Sequence, residues 1–170
     1  NGQLTQHYDP SGCIETIRRD FKGNVREVHR TLTGDATASV VDWNVTGVAG
    51  LNKLLEQEMY VQITEHDALN RMTRLYNWHR DITLNSGGTQ RNTPGSTNRV
   101  AVYVPEYNER GSLKGEWLHV RANKTTDIIG VVTFTPDAAR SNQAIKHITY
   151  NAKGQKELLK LGNGTITQYD

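Results

Sequence analysis

One short phrase recurs along this chain: an aromatic residue or His, then Asp or Asn, two variable positions, and Gly or Asn. It begins at Tyr8, His66, Tyr107 and Tyr150, and it lacks the aromatic at Asp20. An Asp or Asn at the first turn position accepts hydrogen bonds from backbone amides just ahead, and the residue three places later must tolerate a positive φ. This spacing predicts a type I turn followed by a left-handed residue, a common closure of β-hairpins.

The phrase assigns a structural role to each of its positions. An aromatic before the turn ends a strand, where it can cover the residue across from it. The final Tyr169-Asp170 is the opening pair of another copy. The predicted turn positions are Tyr8, Asp9, Gly12, Asp20, Gly23, His66, Asp67, Asn70, Tyr107, Asn108, Gly111, Tyr150, Asn151, Gly154, Tyr169 and Asp170.

The segments between the predicted turns, which we also call corners, alternate between apolar or β-branched residues and charged ones. This period of two predicts strands in a sheet that has one packed face and one solvent-exposed face. The clearest segments are 13–19, 25–32, 99–104, 117–121 and 145–150. The chain is therefore predicted to be all-β, a strip of antiparallel hairpins forming a single segment over residues 1–170.

Three stretches interrupt the pattern and are predicted to be loop insertions. Residues 34–57 contain leucines at roughly helical spacing, but Gly47 and Gly50 limit a helix there to about two turns. Residues 85–98 are rich in Ser, Thr, Asn and Gly, as surface loops are. Residues 124–142 contain the apolar run 128–134, which predicts a strand followed by another excursion.

Composition limits the core and the partners. Apolar residues make up 35% of the chain and the mean hydropathy is −0.66, which predicts a thin core. The 20 basic and 18 acidic residues are interspersed, so no nucleic-acid-binding stripe is predicted. The one cysteine, Cys13, excludes an internal disulfide and has no partners for a zinc site. No apolar run is long enough to predict membrane insertion.

The sequence predicts no enzyme, no cofactor and no metal. The segment 78–85 resembles a kinase catalytic loop, but its Asn follows the Asp by four positions instead of five. Of the six histidines only His66 has carboxylates beside it, and neighbours on a strand point to opposite faces. Ser86-Gly87-Gly88 lies in a loop composition and forms no nucleophile elbow.

The ordered set of phrases resembles the YD or RHS repeats, and most closely the YD-repeat region of the B component of bacterial insecticidal toxin complexes. The resemblance rests on YDPSG at 8–12, HDALNR at 66–71, and YNAKGQ at 150–155 followed by GNG and YD. It covers most of the chain. The chain begins without Met and stops on an opening pair, so we expect a fragment of a longer polypeptide.

The resemblance implies a secreted shell of spiralling hairpins that encloses a toxic C-terminal effector. Its partners would be adjacent repeats, the enclosed effector and, through other regions, a pore-forming component. The family's cargo-cleaving motif is not carried over, because Cys13 follows the first YDPSG and the likeness stops there.

The alternative is a carbohydrate or cell-surface binding module, in which exposed aromatics and loops make the contacts. Trp78 and Trp117 are its candidate residues, although aromatics at period-two spacing more often belong to a sheet core.

Overall fold

The computed structural model describes residues 2–35, 37, 40–78, 84–85, 88–89 and 99–169. It divides the chain, predicted as one segment, into two compact units, residues 1–63 with 82–97 and residues 64–81 with 98–170. In chain order the elements are β1 (Gln6–Asp9), β2 (Gly12–Arg19), β3 (Val25–Thr33), α1 (Gly47–Leu54), β4 (Leu55–His66), β5 (Met72–Trp78), β6 (Leu84–Asn85), β7 (Gly88–Thr89), β8 (Arg99–Tyr107), β9 (Leu113–Thr126), β10 (Val132–Thr135), a 3₁₀ turn (Ala138–Arg140), β11 (Ser141–Tyr150), β12 (Lys156–Leu161) and β13 (Ile166–Gln168).

The first unit is an antiparallel meander in the order β1-β2-β3-β4, to which β4 contributes residues 55–63. In the connection between β3 and β4, α1 has eight residues and lies inside the predicted insertion 34–57. Cys13 and Ile63 are buried. The short pair β6-β7 also belongs to this unit, and the rest of the predicted loop 85–98 lies outside the described residues.

The second unit follows the order β5-β8-β9-β11-β12-β13, with β10 paired to β9 and the last three residues of β4 beside β5. In the described part of this unit, the ladders β5-β8, β8-β9, β9-β10, β9-β11, β11-β12 and β12-β13 are antiparallel. The prediction of an all-β chain of antiparallel hairpins with one short helix is confirmed.

The core of the second unit lies under a hairpin that folds back over the sheet. We call residues 123–135, the end of β9 with β10, the arm. In a flat sheet β10 would lie about 14 Å from β5, yet the Phe134 and Tyr76 rings are 6.0 Å apart edge to face. The hydroxyl of Tyr76 also reaches the carbonyl of Val132 at 3.4 Å. Tyr76 and Val102 are accordingly 1% and 0% exposed.

The arm can fold back because β9 is irregular just before the first residue of the arm. Arg121 has a φ of +61°, and the register with β8 shifts between Val100 and Val102. A β-bulge of this kind bends a strand and increases its twist. It turns the arm onto the face that carries Tyr76 and Val102.

The structure corrects the prediction for residues 124–142. The apolar run 128–134 was predicted to be a strand, but its first residues form a turn, and the strand is Val132–Thr135. Ile128 and Ile129 are 103% and 79% exposed at the tip of the arm. The reason is that Asp127 and Gly130 form the same kind of turn as the predicted repeats, with an Asp three places before a residue of positive φ. This turn preference outweighs the β-propensity of the two isoleucines.

Candidate functional site

The corner at Asp67 shows how the repeated phrase closes a hairpin. Asp67 Oδ1 accepts the N–H groups of Leu69 at 2.8 Å and Arg71 at 3.0 Å. The backbone of Asp67 donates to the carbonyl of Arg71, and Asn70, at φ +62°, donates to the carbonyl of Asp67. One carboxylate thus satisfies two turn amides while Asn70 takes the left-handed position.

The same frame recurs at three further predicted corners. In each, the first side chain accepts from the N–H groups two and four residues on, and a glycine occupies the left-handed position. The corners are Asp20 with Gly23 at φ +89°, Asn108 with Gly111 at +81° and Asn151 with Gly154 at +80°.

The first corner differs from this frame. Asp9 and Gly12 are directly paired, so the loop contains only two residues, and Gly12 has a φ of +138° as the first residue of β2. A Cβ on Gly12 would lie 2.1 Å from the carbonyl oxygen of Thr31. Glycine is therefore required here both by this positive φ, which other residues rarely adopt, and by the close approach of β3. Asp9 accepts the N–H of Ser11 and two hydrogen bonds from Arg30 at 2.9 Å.

Two corners went unrecognised in the sequence. Asp127 accepts the N–H groups of Ile129 and Val131, and Gly130 has a φ of +83°. The loop from Leu161 to Thr165 has the same backbone bonds, with Gly164 at +93°. At Asp127 the available signal was Asp three places before Gly without an aromatic in front, whereas the other turn begins on Leu161 and offered only the Asn163-Gly164 pair.

Tyrosine hydroxyls link the turns on one edge of the second unit. Alternate connections of an antiparallel meander lie at the same edge, which places the turns at Asp67, Asn108 and Asn151 together. The hydroxyl of Tyr107 donates to the carbonyl of Met72 at 2.9 Å, and that of Tyr150 donates to the carbonyl of Leu113 at 2.8 Å. Each acceptor lies five residues after the Asp or Asn of the preceding turn, so each tyrosine fastens its own hairpin to the one before.

Arg71 strengthens the first of these links. Its guanidinium pairs with Asp67 Oδ2 at 2.7 Å and lies 4.8 Å from the centre of the Tyr107 ring. The backbone hydrogen bond from Arg71 is the main cause that lowers the pKa of Asp67, and the Arg71 side chain adds to it. Burial raises the pKa of Tyr107, which keeps its hydroxyl a donor.

The remaining predicted aromatic positions have different surroundings. The Tyr8 ring packs on Trp43 with centroids 5.1 Å apart, and burial raises its pKa. His66 has a buried Nδ1 that lacks a partner among the described residues. The N–H of Tyr169 donates to the carbonyl of Glu157, and Asp170 lies outside the described residues.

An open groove of about 600 Å³ lies beside the first half of β11. Trp117 lines it, facing the loop that follows β12 at Gly162 and Asn163. The side chain of Trp78, the other predicted binding tryptophan, lies outside the described residues, as do His79 and Ser86.

Among the residues the structure describes, no three His, Cys, Asp or Glu side chains lie together as a metal site would require. Within the same part of the chain, no helix has the length and apolar character needed to cross a membrane.

Comparison with known proteins gives relatives in both sequence and fold, although no family model matches. The chain is 28% identical over 170 residues to toxin subunit YenC2 of Yersinia entomophaga, which covers 99% of this chain and 14% of the relative. In fold it is similar to the crystal structures of TcdB2-TccC3-Cdc42 and of TcdB2-TccC3, each at 21% identity and a TM-score of 0.67. A Photorhabdus luminescens Tc holotoxin pore structure gives a TM-score of 0.68.

These solved chains are much longer than this one: each alignment covers 99% of this chain and 6% of the solved chain. The similarity nevertheless runs along nearly the whole of the present sequence. The predicted resemblance to the YD- or RHS-repeat proteins of insecticidal toxin complexes is thus confirmed, in sequence by YenC2 and in fold by TcdB2-TccC3.

Proposed function

We propose that this chain is a wall segment in the repeat shell of a toxin-complex B-like or RHS protein, and that the shell encloses a toxic C-terminal effector. The observation that carries the proposal is the pair of hydrogen bonds from Tyr107 to Met72 and from Tyr150 to Leu113. They connect successive hairpins by contacts between turns, so a sheet can be extended hairpin by hairpin.

The thin core supports a wall. Most described strand positions are half-exposed, and only a small set of the described apolar residues is buried. The buried apolar residues are Cys13, Ile63, Tyr76, Val100, Val102, Ala122, Val132 and Ile148. A sheet with few buried side chains depends on its edges and hydrogen bonds for shape. Such a sheet keeps two accessible faces, one for cargo and one for solvent.

The proposed partners follow from this role. They are the adjacent repeats of the same polypeptide, the enclosed effector segment and, through other regions, a pore-forming component. The assembled toxin acts outside the producing cell, and this segment contributes no catalysis and no cofactor. The solved structures of similar fold support these partners, since one is of TcdB2-TccC3-Cdc42 and another is of a Tc holotoxin pore.

A hybrid protein tests the proposal. The segment of YenC2 that aligns with this chain is replaced by residues 1–170, and the purified hybrid is treated with a broad-specificity protease. We expect the C-terminal segment of the hybrid to survive about as long as that of unmodified YenC2. Its release is followed over time by gel electrophoresis and mass spectrometry.

A second hybrid carries Tyr107→Phe and Tyr150→Phe, which remove both turn-to-turn hydrogen bonds, and a matched hybrid carries Tyr169→Phe. The double variant should lose protection faster than the matched one, because only its hairpins are unfastened. A folded hybrid whose C-terminal segment is cleaved as quickly as the isolated segment would contradict a wall role.

A further inference from the structure

The groove beside β11 exists because two neighbouring elements end early. β12 ends at Leu161, opposite Ile145, so residues 141–143 of β11 pair only with β9. β11 also shifts register at Gln143/Ile145 against β9 and at Ile145/His147 against β12. Two bulges so close together bend the strand and increase its local twist.

The groove is formed by backbone contacts and does not depend on a ligand for its shape. The N–H of Gly162 donates to the carbonyl of Ala144 at 2.9 Å, which seats the loop after β12 against β11. A Cβ on Gly162 would lie 1.9 Å from the carbonyl oxygen of Gln143, so only glycine allows this approach. A concave site that is already formed avoids an ordering cost on binding.

Trp117 is held in one orientation at the groove. Its indole N–H donates to Glu106 Oε1 at 3.1 Å, and its ring is parallel to that of His119, at 1° and a centroid distance of 5.9 Å. Trp117 is paired directly with Gln143 on β11, which places both side chains on the same face of the sheet. A fixed indole beside an amide offers a flat apolar surface with hydrogen-bonding groups at its margin.

The polar lining has unused hydrogen-bonding capacity. Within the described part of the chain, the side chains of Gln143 and Lys146 have no hydrogen-bond or ion-pair partner. Asn163 uses Oδ1 to accept the N–H of Thr165 and keeps its amide NH₂ for another acceptor. The residues lining the groove include one lysine and no carboxylate.

We propose that this groove binds a saccharide, with Trp117 stacking on the sugar ring and Gln143, Lys146 and Asn163 hydrogen-bonding its hydroxyls. Side-chain amides both donate and accept, as sugar hydroxyls do. The lysine suits a neutral sugar or one that carries a carboxylate. A peptide is less well matched, because Leu161 is the one larger aliphatic side chain in the lining and offers no row of side-chain pockets.

The test is a titration of the isotope-labelled 170-residue chain by two-dimensional NMR. The probes are diacetylchitobiose, N-acetyllactosamine and sialyllactose, with a decapeptide of alternating Thr and Val in parallel. We expect at least one saccharide to shift the indole N–H of Trp117 and the side-chain amides of Gln143 and Asn163 saturably. The indole N–H of Trp43, which packs on Tyr8, should not move.

Variants locate the binding. Trp117→Ala should weaken saccharide binding at least about tenfold, as expected for the loss of one stacking contact. Gln143→Ala should weaken it by roughly threefold, as for one neutral hydrogen bond. Gln168→Ala, an exposed glutamine on β13, is the matched control and should leave the affinity unchanged.

Three results would overturn the inference. The first is the absence of a saturable shift with all three saccharides in a chain whose spectrum shows dispersed β-sheet signals. The second is binding that survives Trp117→Ala in full. The third is movement of the groove signals by the decapeptide and not by the sugars.

Discussion

The turns at Asp67 and Asp127 have nearly the same backbone and different surroundings. Both carboxylates accept two N–H groups, and both turns end on a residue with a φ near the left-handed region, Asn70 at +62° and Gly130 at +83°. The Asp67 turn is fastened to the next hairpin through Tyr107, whereas the tip of the Asp127 turn exposes Ile128.

This difference separates two functions of the repeat phrase. The Asp or Asn and the Gly or Asn close a hairpin by local hydrogen bonds wherever they occur. The tyrosine in front adds a contact to a neighbouring hairpin, so it matters only where another turn lies beside it at the same edge. The Asp67 turn has His66 in that place and is linked through Tyr107 of the next hairpin, whereas the Asp127 turn has Thr126 there and exposes Ile128 and Ile129 at its tip.

The largest expected effect comes from the left-handed positions. Gly111→Val and Gly130→Val should each lower the free energy of unfolding by roughly 1 to 3 kcal/mol, because a β-branched residue is strained at positive φ. The two losses should be similar, since a Cβ at Gly111 would meet only the flexible end of Arg71 at 3.4 Å and a Cβ at Gly130 would meet nothing within 4 Å. Urea unfolding measures both.

The control for these variants is Gly111→Asn. Asparagine tolerates the left-handed region, as Asn70 does at the Asp67 turn. The turn assignment is wrong if the valine and asparagine variants at position 111 unfold at the same urea concentration.

The next effect tests the links between turns. Tyr107→Phe and Tyr150→Phe should each lower the free energy of unfolding by about 0.5 to 1.5 kcal/mol, the usual contribution of one intramolecular hydrogen bond. Tyr169→Phe is the matched control, because Tyr169 is 42% exposed and its hydroxyl bonds to no described residue. An equal loss at all three positions would remove the distinction between linked and unlinked turns.

A smaller effect concerns acid. The pKa of Asp67 lies below its ordinary value of 3.8, mainly through the backbone hydrogen bond from Arg71, so the fold is stabilised above that value and loses this contribution as pH falls through the lowered pKa. Arg71→Gln should raise the pKa of Asp67 part of the way back, because the backbone bond remains. Carboxyl chemical shifts during an acid titration measure it, and an unchanged pKa would show that the guanidinium has no part.

The smallest effect is expected at the arm tip. Ile128→Lys and Ile129→Lys should change the free energy of unfolding by less than about 0.5 kcal/mol, since both side chains are exposed and their loss opens no cavity. Val132→Ala, at a buried position of the same arm, should cost about 1 to 2 kcal/mol. Thermal unfolding compares them, and a large loss at Ile128 would mean that the tip packs against this chain.

The fold class and four of the corners could be predicted from sequence, because an Asp or Asn and the following Gly or Asn act within five residues. The other corners were less predictable. Gly12 satisfies the same spacing and has a positive φ, but the close approach of Thr31 that also requires glycine depends on a strand some twenty residues away. The Asp127 corner was hidden because Ile128 and Ile129 lie in an apolar run that resembles a strand.

Only part of the candidate groove could be predicted from sequence. The sequence indicates Trp117 as a possible contact residue, but its neighbours Gln143, Lys146 and Asn163 come from a strand and a loop that reach it through pairing and bulges. A bulge leaves little trace in the pattern of polar and apolar residues.

The sequence by itself determined where the chain reverses, since a side-chain carboxylate or amide and a residue that tolerates positive φ act on their own turn. Tertiary structure alone decided what the reversals do. It set which tyrosine reaches which carbonyl, how the arm folds over Tyr76, and where the sheet opens beside Trp117. These depend on register and bulges over many residues, and short-range chemistry does not specify them.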